Sequence, residues 1–125
     1  MATTDSDHAL PTYPNLARAL VLTRPDQLWR ADITYVHLQR EFVYAAIVMD
    51  AFSRRVIGWA VERSLDTRLP LSALKQALAS RNVNASLVHH SDRGVQYASG
   101  EYTTTLMSEG IQISMSRKAN PYDNA

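Results

Sequence analysis

The stretch Leu28-Trp29-Arg30-Ala31-Asp32-Ile33-Thr34-Tyr35-Val36-His37-Leu38 decides how the rest of the chain is read. Side chains alternate across a strand with a period of two, which sends Trp29, Ile33 and Tyr35 to one face and Arg30, Asp32 and Thr34 to the other. Asp32 is thus a carboxylate set in a run that otherwise reads as a half-buried strand. Taking such a charge out of water costs several kcal/mol unless a cation meets it. A second acid, Asp92, closes another strand-like stretch in His89-His90-Ser91-Asp92-Arg93-Gly94. Two acids on separate strands suggest a divalent-metal site. The competing reading makes each a turn or cap residue.

Outward from that strand, Gln39-Arg40-Glu41 is a polar hairpin connection into the continuous apolar run Phe42 to Met49. Asp50 to Arg54 forms a second turn, and Arg55 to Val61 a third strand, completing an antiparallel meander. Asp66 or Thr67 then caps a helix with Pro70 in its first turn and Leu71, Leu74 and Leu78 at helical spacing, ended by Asn82 or Asn84. Ala85 to His89 is a short strand leading to Asp92. Ser99 caps a second helix that turns Tyr102, Leu106 and Met107 inward, with Gly110 at its C′ position. Ile111, Ile113 and Met115 alternate as a fifth strand. The order βββ-α-β-α-β predicts an α/β fold, a mixed five-stranded sheet with helices on its faces and acids on the first and fourth strands. Trp29 and Trp59 are expected in the core. Residues 1–24 read as an extended lead-in, with a helical turn or two in Leu16 to Leu22, and 25–125 as the structured core.

The 125 residues make one domain. No apolar run approaches a membrane span, the N-terminus lacks the features of a secretory signal, and there is no cysteine, so a cytoplasmic protein is expected. A net charge of +1 does not by itself announce a nucleic-acid binder, although Arg makes up eleven of the thirteen basic residues. His89 and His90 invite a zinc reading, but with no cysteine and no further His nearby they read as strand residues flanking the site. Asp50 reads as a residue that ties its turn through Ser53.

Several strings together resemble the catalytic core of retroviral-type integrases, and more narrowly the second-frame transposase of IS3-group insertion sequences. They are Trp29 to Tyr35, Met49-Asp50-Ala51-Phe52-Ser53-Arg54, Ile57-Gly58-Trp59, His89 to Tyr97 and Ser114 to Asn120. The lead-in from Thr3 to Leu16 is similar to the linker before that core, so the likeness runs along nearly the whole chain.

The resemblance implies an RNase H-like fold and an Asp-Asp-Glu triad holding two Mg²⁺ or Mn²⁺ ions, with Asp32 matching the first acid and Asp92 the second. The family's Glu, and the helix carrying it, are expected just beyond Ala125, so the chain reads as a core lacking that last catalytic helix and inactive by itself. The implied partner is DNA, as insertion-sequence ends and target, together with further copies or full-length transposase, and no membrane. Arg93, Gln96, Tyr97, Arg117, Lys118 and Asn120 are candidate DNA contacts. For Arg117, Lys118 and Asn120 a solvated loop is the equal alternative, and for Gln96 and Tyr97 a helix packing contact. Two other functions stay open: a non-catalytic fragment that pairs with and inhibits full-length transposase, and an RNase H-like nuclease that hydrolyses without joining.

Overall fold

A computed structural model describes residues 12–66 and 68–116. Strand β1 spans Leu28–His37, β2 Phe42–Asp50 and β3 Val56–Glu62. Helix α1 covers Arg68–Ser80, followed by β4 at Val88–Ser91, the one-turn α2 at Val95–Ala98, α3 at Gly100–Ser108 and β5 at Gln112–Met115. The sheet order is β3-β2-β1-β4-β5. The meander pairs antiparallel, whereas β1 with β4 and β4 with β5 pair parallel. The mixed five-stranded sheet expected from the chain order is therefore present.

One face of the sheet carries the main core. Trp29, Ala31, Ala46, Val48 and Ile113 meet Leu69, Leu74 and Ala77 of α1 and Tyr102 and Leu106 of α3. Gly58 allows α1 to lie close to β3. A Cβ there would collide with the Ala73 carbonyl oxygen and sit 3.0 Å from the Ala77 nitrogen. Ser99 caps α3 by accepting a hydrogen bond from the Tyr102 N–H, and Gly110 follows with φ of 73°, the left-handed geometry a C′ glycine supplies.

Among the described residues, the other face is covered at one end. Residues 14–22, with a single 3₁₀ turn at Ala17–Ala19, lie across β4 and β5 and bury Ala17 against Leu28 and Val88. Ser114 Oγ holds this segment by accepting from the Leu16 and Ala17 N–H groups at 2.7 and 3.1 Å, and the Met115 N–H donates to the Pro14 carbonyl at 3.1 Å.

Two expected core positions are corrected. Trp59 is 60% exposed, because it pairs with Ile47 on the face that α1 and α3 do not cover. Met107 is 57% exposed, because Tyr102, Thr103 and Leu106 already fill the inward stripe of α3. The fourth strand begins at Val88, since Leu87 N–H closes a turn on the Asn84 carbonyl.

Candidate acidic site where β1 runs past the end of β4

Parallel pairing sets Trp29 against His89 and Arg30 against His90. Continuing that register by two residues brings Asp92, just past the end of β4, opposite Asp32. Both acids line one cavity of about 350 Å³, together with Arg30, Ile47, Met49 and His90. The cavity lies where β1 outruns β4, the kind of strand-end crevice in which α/β sheets gather their ligands. Arg30 was not singled out as a site residue, yet its place two residues before Asp32, on the same face, was the available signal.

Both carboxylates are exposed and tied by local amides. Asp32 accepts from the Ile33 N–H at 2.9 Å, and Asp92 from the Gly94 N–H at 2.7 Å. Partial burial raises the Asp32 carboxyl above the ordinary value of 3.8; the Ile33 amide opposes the rise and the negative charge of Asp92 adds to it. Like charges held at one cavity are relieved by a dication. The two carboxylates suit a hard ion such as Mg²⁺, which accepts one or two carboxylates and completes its shell with water and phosphate. Among the described residues, no cluster of three His, Asp or Glu side chains is placed to hold a metal.

The neighbouring polar residues have other tasks. Asp50, fully buried, accepts from the Asp26 N–H at 2.8 Å, the Ser53 N–H at 2.9 Å and the Ser53 hydroxyl at 2.6 Å. Burial alone would raise its carboxyl, but these hydrogen bonds and the Arg81 charge hold it below the ordinary value. It ties the β2–β3 turn. His89 and His90 are consecutive strand residues, so their rings leave opposite faces of the sheet. His89 Nε2 lies 2.8 Å from the Tyr102 hydroxyl, and His90 Nδ1 2.8 Å from Ser114 Oγ.

The candidate DNA contacts separate. Arg93 is exposed but lines a different cavity, with Arg18 and Ser116. Gln96 is half-buried and lies beside Asp92 in a third cavity. Tyr97 is only 3% exposed, because the α2 turn tucks its ring edge-on against Tyr102, centroids 5.2 Å apart, which is the helix packing contact that stood as the equal alternative. Arg117, Lys118 and Asn120 lie outside the described residues.

Comparison with known proteins bears on the family and the fold. The sequence pattern of the integrase core domain matches residues 23–121, a span that includes both acids. The transposase of insertion sequence element IS629 from Shigella sonnei is 43% identical over 123 residues, covering 98% of this chain and 41% of that protein. The chain thus spans rather less than half the length of the curated relatives it matches. Among solved structures, the simian T-cell lymphotropic virus intasome, in complex with a PP2A regulatory subunit, superposes with a TM-score of 0.73 at 21% identity, over 91% of this chain and 38% of that one. The HTLV-2 integrase catalytic core in complex with magnesium gives 0.64 at 21% identity, over 73% and 61%. These likenesses bear out the RNase H-like fold.

Proposed function

This chain belongs to the integrase core domain family, and from that premise we propose that Asp32 and Asp92 are two of the carboxylates with which a DNA transposase cuts and joins strands. The observation that carries the reading is the convergence of these two acids, from separate strands, on one cavity beside Arg30. The integrase core match extends across both positions.

The residues divide the work by chemistry. Asp32 and Asp92 would hold Mg²⁺ or Mn²⁺, and two carboxylates alone support a weak hold on an ion. When bound, such an ion polarises a phosphodiester and lowers the pKa of a nucleophilic water or hydroxyl. Arg30, on the same face as Asp32, meets a non-bridging phosphate oxygen and keeps the DNA strand over the acids. The raised Asp32 carboxyl means that protonation competes with the cation, so binding weakens as pH falls toward that group's titration. Association between copies, or with a full-length transposase, belongs to the same proposal.

Binding of a fluorescent DNA duplex with Mg²⁺ or with EDTA tests the reading. Mg²⁺ should tighten binding, and Asp32→Asn or Asp92→Asn should remove the Mg²⁺ increment while leaving a salt-sensitive basal affinity. Equal Mg²⁺ enhancement in all three proteins would refute it.

A further inference from the structure

Two parts of the chain far apart in sequence line one cavity of about 470 Å³. The lead-in supplies Asn15 and Arg18, and the core supplies Arg93 and Ser116. Both arginines are exposed, and among the described residues none that lines the cavity is acidic. One water takes up roughly 30 Å³, so the space admits a phosphate group together with several waters. Like charges gathered at one cavity are relieved by a shared counter-ion, here an anion.

Arg18 reaches this cavity because the lead-in is clamped to the sheet. Ser114 is fully buried; its Oγ accepts from the Leu16 and Ala17 N–H groups and lies 2.8 Å from His90 Nδ1. A hydroxyl has one hydrogen and two lone pairs. Both lone pairs serve the lead-in, so the hydrogen goes to His90 Nδ1. Ser114 thereby joins the lead-in to both β5 and β4. The Asn15 side-chain oxygen accepts from the Arg18 N–H at 3.1 Å and fixes the turn that presents this arginine. On the core side, the Gly94 N–H bond to Asp92 fixes the turn that presents Arg93.

We propose that this cavity is a phosphate site that exists only while the lead-in is docked. Arg18 and Arg93 meet the oxygens of one phosphate group, and Ser114 is the positioning residue that keeps both arginines on one cavity. The planar guanidinium fork suits such oxygens, and one arginine from each side holds the anion as a pincer. A backbone phosphate of nucleic acid and a free phosphate ion present the same chemistry. Neither Asp32 nor Asp92 lines this cavity, although Arg93 directly follows Asp92. The site therefore needs no divalent cation and stands apart from the metal reading above.

The test titrates the full chain, in EDTA and at low salt, with a fluorescent DNA duplex and separately with inorganic phosphate. Arg18→Gln and Arg93→Gln should each weaken binding of at least one probe about fivefold, and the probe affected identifies the source of the phosphate. The double variant should lose little more than either single one, because the two arginines share a ligand. Two independent surface charges would multiply their losses to about twenty-five-fold, and that result would overturn the shared site. Ser114→Ala removes no group from the cavity, yet it should bring the same fivefold loss while amide exchange accelerates at Leu16 and Ala17. Wild-type affinity in that variant with those amides opened would overturn the dependence on docking. Should Ser114→Ala fail to fold, the arginine pair decides alone. Affinities unchanged in both arginine variants, or no binding of either probe, would overturn the proposal.

Discussion

A carboxylate in a strand, such as Asp32, declares itself because the residues around it are apolar and its neighbours alternate; Asp92 does so by closing β4. His89 is the opposite kind of residue, chemically reactive in isolation and neutralised by its place. Burial, with a smaller contribution from the His90 charge, pushes its pKa from 6.5 down to about 4, against a backbone hydrogen bond that opposes the shift. The unfolded chain takes up that proton near pH 6.5 and the folded chain does not until about pH 4. The unfolded state therefore binds more protons between those values, so this contribution is complete above pH 6.5 and is lost as pH falls through the window. Urea unfolding should show about 2 kcal/mol lost between pH 7 and pH 5, and His89→Gln should flatten that part of the profile. An unchanged slope in the variant would assign the loss elsewhere. Arg30 and Tyr97 were harder to read. Arg30 has an acid two residues away and no motif of its own, and Tyr97 sits in a motif string that does not say which way a one-turn helix faces.

Among the elements, periodicity located the strands and both longer helices because each has one buried stripe and one wet one. It could not say which sheet face would be covered. Trp59 and Gly58 are neighbours on β3, and only the path of α1 decides that the glycine lies under a helix while the tryptophan faces out. That contact is tight enough to test. Gly58→Ala should destabilise the protein by about 2–3 kcal/mol by pushing α1 off β3. A thermal melt within experimental error of the wild type would contradict the packing described. The short α2 was missed because four residues between a turn and a capped helix carry no period of their own.

At the scale of the molecule, the sheet has one face packed under α1 and α3 and one that no described element covers over β2 and β3. Trp59, Val56 and Val61 are 60%, 49% and 47% exposed there, beside the half-buried Ile47 and Met49. Contiguous apolar surface of this kind drives association. Sedimentation should show self-association that Trp59→Lys reduces, and a strictly monomeric wild type would contradict this. The open face meets the acidic cavity at Ile47 and Met49, so the assembly surface and the chemistry adjoin. The central claim remains that Asp32 and Asp92 act together on one divalent cation. Isothermal titration of the chain with Mg²⁺ tests it most directly. The account predicts a saturable isotherm, weaker at lower pH, that Asp32→Asn and Asp92→Asn each abolish. Saturable binding that survives both substitutions, or none in the wild type, would contradict it.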